Sequence, residues 1–230
     1  MPKKYPYPQN PEKPQVTTDM VVFKVIKDQL NILLVKRGTK PFKGMWALPG
    51  GRVNKGESLD KTAKRELYEE TGVKNIFLEQ LYTFGEPNRD PRGRVISVAY
   101  FALINQEPKL RASTDTVDAR WFVMKKLPAL AFDHQDIIDY ALMRLRWKLE
   151  YTNIVRNLLP QHFTLSNLQK VYEIILNKKI DKRNFRKKIL SLHLIKPARR
   201  NKINVPFRPP QLWTFRTDKH VVLTKRELNF

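Results

Sequence analysis

Two apolar runs open the patterned part of the chain. Residues 20–26 (MVVFKVI) and 31–36 (NILLVK) are rich in β-branched and aliphatic side chains, with Asp28-Gln29 between them, a spacing that predicts a β-hairpin. Residues 46–48 form a further short strand before Pro49-Gly50-Gly51. The period then changes. Leu59, Ala63 and Leu67 fall on one helical face, with Ser58 placed to cap its start and Gly72 to end it. Residues 77–84 and 94–104 predict two strands around the polar turn EPNRDPRG, and residues 121–124 another. Asp133 stands as the N-cap of a helix through Ile137, Ile138, Ala141, Leu142 and Leu145. Strands and helices interleave, so this first part is a mixed α/β domain over residues 19–150. Residues 1–18 are polar and proline-rich, and read as a loose arm.

Beyond Tyr151 the pattern differs. Ser166 followed by Gln169 resembles a capping box, and Leu168, Val171, Tyr172 and Ile175 then repeat at helical spacing. Ile180-Asp181 opens a second, shorter helix. Phe185, Ile189 and Leu192 lie on one side of it, and Lys182, Arg183, Arg186 and Lys187 on the other. Leu194-Ile195-Lys196, a basic proline-containing loop and residues 211–215 complete the sequence helix, helix, strand, loop, strand. That is the plan of a winged helix-turn-helix, assigned to residues 151–230.

Charge sharpens the division. The net charge is +22, and residues 156–230 hold 18 Lys and Arg against 4 Asp and Glu, whereas residues 1–155 hold 26 against 18. A basic module joined to a less basic one suggests a polyanionic macromolecule as partner, double-stranded DNA ahead of RNA because no stacking-aromatic platform accompanies the charge. A solvated basic face that merely aids dimerisation is the plainer reading of a charge run. Here, however, the excess falls on the second helix and the wing together. In such a fold the second helix enters the major groove. Arg183, Asn184 and Arg186 are then nearest the base edges, with Lys182 on the same side. Lys187, Lys188, Arg199, Arg200, Lys202 and Arg208 meet phosphates. The chain has no cysteine, no apolar run of membrane-spanning length and no apolar leader segment, consistent with a cytoplasmic protein that keeps off membranes.

The chemistry concentrates in GRVNKGESLDKTAKRELYEETGV, residues 51–73. Glu66, Glu69 and Glu70 are related by i, i+3 and i+4, so a helix puts three carboxylates on one face. Such a set suits a hard divalent cation, and with it a phosphate-rich ligand. An exposed charged helix is the alternative. Arg37, Arg89, Arg92 and Arg94 suit bidentate contacts to a diphosphate, or are ordinary surface charge. Phe42 and Trp46 are more readily cleft wall than a platform for adenine. His134 reads as part of a helix start rather than a general base.

Residues 51–73 match, without gap or substitution, the Nudix signature G-x5-E-x7-R-E-U-x-E-E-x-G-U, with Leu67 and Val73 as the bulky aliphatics U. The chain therefore resembles Nudix proteins over about residues 19–149. The resemblance implies an α/β/α sandwich and action on a nucleoside diphosphate linked to another group. It implies Glu66 and Glu70 as leading ligands of Mg2+ or Mn2+, Glu69 as a third and the Gly50 carbonyl as a further one. Glu57 becomes an outer carboxylate and Arg65 the residue that orients the acids. With the basic module included, nearly the whole chain is similar to NrtR-type Nudix-related transcriptional regulators. RDPRGR at residues 89–94, FDH at 132–134 and DKRNFRKK at 181–188 carry that likeness. It implies an ADP-ribose-like ligand and a homodimer on two-fold DNA. The box is intact, so hydrolysis is chemically available. Two readings stay open: a metabolite-responsive regulator, which we adopt, and a hydrolase of ADP-ribose pyrophosphatase type with an auxiliary basic domain.

Overall fold

β1 (Gln15–Ile26) decides the architecture because its alternating side chains are buried on both faces. Met20 and Val22 point one way, into a cluster with Ala63 and Leu67. Val21 and Phe23 point the other way, toward Ile137, Ile138, Ala141 and Leu145. A sheet apolar on both sides needs a helical layer on each. The computed structural model describes residues 13–111, 116–198, 210–217, 219 and 221–223. In it, α1 (Leu59–Thr71) covers one face and α2 (His134–Tyr151) the other, giving the expected α/β/α sandwich.

β1 turns through Lys27 and Asp28, both with positive φ, into antiparallel β2 (Gln29–Arg37). The remaining strands are β3 (Trp46–Ala47), β4 (Gly50–Arg52), β5 (Glu79–Phe84), β6 (Val95–Ile104) and β7 (Thr116–Val123). The sheet runs β3-β2-β1-β6-β5, with β4 also paired to β1 and β7 to β2. The β1–β6 pairing is parallel, from Gln15↔Val95 to Lys24↔Ile104.

Several boundaries differ from expectation. β1 begins at Gln15, so residues 15–18, assigned to the arm, are strand. Their polar side chains hide this, yet Thr17 and Thr18 pair with Arg52 and Gly51 of β4. β4 itself is unexpected, since two glycines carry no strand signal. β7 starts five residues ahead of Trp121 because β2 holds it in register from Arg37↔Thr116 onward.

The second unit packs onto the α2 side. Leu149 of α2 and Ile154, Val155 and Leu158 of a following 3-10 turn join Leu168, Val171 and Tyr172 of α3 (Leu165–Leu176) in one apolar cluster. α4 (Lys182–Ser191) adds Phe185 and Ile189, and β8 (Ile195–Pro197) pairs antiparallel with β9 (Trp213–Phe215). This is the expected winged helix. Its wing tip, with Arg199, Arg200, Lys202 and Arg208, lies outside the described residues. Among the described residues no helix is long and apolar enough to cross a membrane.

The capping box sits two residues earlier than expected. Thr164 Oγ1 accepts from Asn167 N–H at 3.0 Å, and Asn167 Oδ1 accepts from Thr164 N–H at 3.2 Å. Gln169 instead donates to the Ile180 carbonyl at 2.9 Å, tying α3 to the start of α4. Thr164→Ala is therefore expected to lower the unfolding free energy by about 1 kcal/mol in urea melts, as N-cap losses do. Ser166→Ala should stay within about 0.5 kcal/mol.

Candidate functional site

α1 is fixed at both ends. Ser58 accepts from Lys61 N–H at its start, and Gly72, at φ 76°, closes its end with a bond to the Tyr68 carbonyl. Burial of Ala63 and Leu67 sets its rotation, which turns Glu66 and Glu70 toward the place where β1 and β4 pair. Glycine is required there. A Cβ on Gly51 would stand 2.4 Å from the Glu66 carboxylate, and one on Gly50 would stand 2.2 Å from the Thr18 carbonyl oxygen. The Gly50 N–H donates to Glu70 Oε2 at 2.8 Å.

Arg65 organises the remaining acids. Its guanidinium donates to both Glu57 oxygens at 3.0 and 2.9 Å, to Glu66 at 2.7 Å, to Glu69 at 3.1 Å and to the Arg52 carbonyl at 3.2 Å. These bonds hold the Glu57 carboxyl down at about 2 and raise the Arg65 guanidinium above its usual range. Burial raises the Glu66 carboxyl. Burial, with the charges of Glu66 and Asp19, pushes Glu70 up to about 8.

Glu66 and Glu70 line a cleft of about 340 Å3 with Gly50 and Gly51. Glu57, Arg65 and Glu69 stand beside it, and the Glu69 side chain is half exposed. Among the described residues no three acidic or histidine side chains converge as a ready-made metal cage. The pair Glu66 and Glu70 still fits a divalent cation. Both are carboxylates held where burial disfavours their charge, and a cation is what would restore it.

The expected arginines divide. Arg37 and Arg92 are on the cleft wall, and their guanidinium carbons lie 4.8 and 5.6 Å from the centre of the Phe132 ring. Arg92 also grips Asp90, at 2.9 and 2.6 Å. Arg89 reaches the cleft but is almost wholly buried and spends its guanidinium on Asp133, at 2.8 and 2.7 Å. It buttresses the wall. Arg94 donates to the Gly85 carbonyl and is not part of the lining. Phe42 packs edge-on against Phe132, and Trp46 against Phe122 away from the cleft.

Two further residues, Asp19 and His134, complete the wall. Asp19 is buried, accepts from the Ser97 hydroxyl, and lies 3.6 Å from both Arg89 and His134 Nε2. His134 does begin α2, and its ring also lines the cleft. Nδ1 accepts from Leu48 N–H at 2.8 Å, which places the proton of the neutral ring on Nε2, facing Asp19. Burial lowers its pKa and keeps it neutral. The available signal for Asp19 was an acid where the polar start of β1 gives way to its apolar run.

A second surface lies on α4. Asp181 caps it, accepting from Asn184 N–H at 2.8 Å. Phe185 is fully buried, edge-on to Tyr172, while Lys182, Arg183, Asn184, Arg186 and Lys187 are all exposed. The expected DNA-reading side chains thus share one solvent face of one helix.

Residues 15–141 match the NUDIX domain family, and residues 155–215 match the NrtR DNA-binding winged helix domain. The chain belongs to the NrtR-type Nudix family. One relative of this NrtR-type chain is the ADPR responsive transcriptional repressor NtrR of Acinetobacter baylyi, 38% identical over 88% of this chain and 82% of the relative. The crystal structure of Shewanella oneidensis NrtR complexed with a 27mer DNA superposes with a TM-score of 0.74 at 35% identity, over 87% of this chain and 93% of that one. The sandwich alone is 44% identical to the ADP-ribose pyrophosphatase of Methanocaldococcus jannaschii, over 54% of this chain and 71% of the relative.

Proposed function

We propose that this NrtR-type protein is an ADP-ribose-responsive transcriptional repressor of the cytoplasm, binding two-fold DNA as a homodimer. The observation that supports the reading is the pairing, in one chain, of a cleft lined by Arg37, Arg92, Glu66 and Glu70 with a helix that presents Lys182, Arg183, Asn184, Arg186 and Lys187 to solvent. In the cleft, Arg37 and Arg92 supply cationic donors for the pyrophosphate, and Phe132 between them supplies an apolar surface. Glu66 and Glu70, with Gly50, would hold Mg2+ or Mn2+, and Arg65 keeps Glu66 in place. Such a cation, when bound, offsets phosphate charge and acidifies water. Asp19 and neutral His134 fix the β1 wall opposite. On α4, Arg183, Asn184 and Arg186 face base edges, while Lys182 and Lys187 face phosphates.

The intact box and the pyrophosphatase relative favour a second reading, hydrolysis of the same ligand. One experiment separates them. Full-length protein is bound to a duplex selected from a random library and followed by fluorescence anisotropy as ADP-ribose and Mg2+ are added, while AMP is assayed. The repressor reading expects DNA affinity to fall by about tenfold, a coupling of about 1.4 kcal/mol. Rapid AMP release with no change in DNA affinity would leave a hydrolase with an auxiliary domain.

A further inference from the structure

A cavity larger than the diphosphate cleft lies elsewhere among the described residues. It lies where the sandwich meets the winged helix, and its volume is about 620 Å3 against about 340 Å3 for the cleft. One face of α2, through Leu142 and Arg146, forms one wall. One face of α3, through Lys170, Ile174 and Asn177, forms the other. The tip of the β1–β2 hairpin and Met124 close the end.

Its lining is divided by chemistry. Leu30, Met124, Leu142 and Ile174 make an apolar floor. Lys125 and Arg146 from the sandwich, and Lys170, Lys178 and Lys179 from the winged helix, make a basic rim. Three carboxylates also border it, but Glu173 is turned inward. It accepts from the Ile180 N–H at 3.0 Å and from Gln169 at 3.2 Å, and pairs with Lys179 Nζ at 3.5 Å, a contact an incoming anion would share. A junction that only held two domains together would be close-packed. This one leaves a half-open groove of ligand size with converging cations. The walls are joined instead by polar stitches around the groove. Lys125 Nζ donates to Asn177 Oδ1 at 2.6 Å, Arg146 Nε donates to the Ile175 carbonyl at 3.0 Å, and Lys170 pairs with Asp28 at 3.4 Å.

We propose that this junction is a second small-molecule site, selective for an organic anion with an apolar body. The apolar part takes the floor, and the phosphate or carboxylate takes the rim, drawing on the cations that now stitch the walls. Asn177, at φ 53°, ends α3 and begins the short link to Asp181, the cap of α4. An anion held by Lys178 and Lys179 therefore bears directly on the placement of α4. This consequence rests on the DNA-binding reading above; occupancy of the cavity does not.

The test uses the full chain in metal-free buffer with ADP-ribose saturating the cleft. 1-Naphthyl phosphate and 1-naphthoate are titrated separately by calorimetry, to distinguish phosphate from carboxylate. One site per chain is expected for at least one of them. Affinity should fall at least about tenfold in Lys170→Glu/Lys179→Glu and in the cavity-filling Leu142→Trp. Arg183→Ala should leave it unchanged, and melting curves should show each variant folded. Binding that appears only when ADP-ribose is left out, wild-type affinity in both junction variants, or no binding of either probe would overturn the site. Occupancy is further expected to change DNA affinity at least about threefold. No change would overturn the regulatory consequence. A wild-type chain that bound no DNA would instead refute the repressor reading, with calorimetry still deciding the site.

Discussion

In metal-free buffer, raising the pH from about 6.5 to about 8 is expected to destabilise the protein, and adding Mg2+ at the upper pH is expected to restore it. The cause is Glu70. Its carboxyl, pushed up to about 8 by burial first and then by Glu66 and Asp19, keeps a proton in the folded state that the unfolded chain has released. Between the ordinary glutamate value and 8 the folded state binds more protons than the unfolded state, so stability falls as pH rises. Below about 6.5 the neutral buried His134 acts in the opposite direction, because there the unfolded chain binds the extra proton. The window above that value separates the cleft carboxyls, Glu70 with the likewise raised Glu66, from the histidine. Since Glu70 opens onto the cleft, the loss is on the order of 1 to 2 kcal/mol, a few degrees in thermal midpoint for a chain of this size. A divalent cation takes the place of the proton, so its stabilising effect should grow with pH across the same window. Glu70→Gln should flatten the apo profile and remove most of the response to metal. Differential scanning calorimetry at both pH values, with and without Mg2+, checks all three. A flat wild-type profile together with no metal response would refute Glu66 and Glu70 as the cation's donors.

That Glu66 and Glu70 face a cleft was legible because it depends on spacing within one helix. Period alone places Leu67 inward and the two acids on the adjacent face. The partition among the acids was not legible. Glu69 has the same spacing, yet Arg65 draws it outward, and only the position of the Arg52 carbonyl, contributed by another strand, shows why. The arginines show the same limit. Arg89 and Arg92 are three residues apart in one turn, but Asp133, 44 positions away, takes Arg89 out of play. Asp19 and His134 were obscured by their local surroundings. A single acid beside polar threonines resembles a loop, and a histidine after an aspartate resembles a cap. Their roles come from the β1–β4 pairing and from the Leu48 amide, both long-range interactions. The winged helix was readable in plan because its helices are amphipathic. Its cap shifted by two residues because threonine and asparagine can make the same reciprocal bonds as serine and glutamine.

Arg183→Ala/Arg186→Ala is expected to weaken DNA binding by at least about a hundredfold while leaving ADP-ribose binding intact. Each arginine that pairs with a guanine contributes about 1–3 kcal/mol of discrimination. A two-fold dimer presents each side chain to both half-sites, so the loss is felt twice. The fold should survive, because α4 is anchored from its opposite side by Phe185 and Ile189, and both arginines are exposed. Phe185→Ala provides the contrast. It removes a fully buried ring packed on Tyr172 and should cost about 3–5 kcal/mol of stability, losing DNA binding by unfolding the module. Lys182→Ala and Lys187→Ala should differ again. They weaken every duplex alike and lower the slope of log affinity against log salt by about 1 for each phosphate that is no longer neutralised. Anisotropy titrations at several salt concentrations, on the selected duplex and on a scrambled one, resolve the three classes. Equal affinity of the double arginine variant and the wild type for the selected duplex would remove α4 from the interface. The basic charge would then have to act through the wing alone, and the buried Phe185 would be only a core residue of a module that holds DNA without reading it.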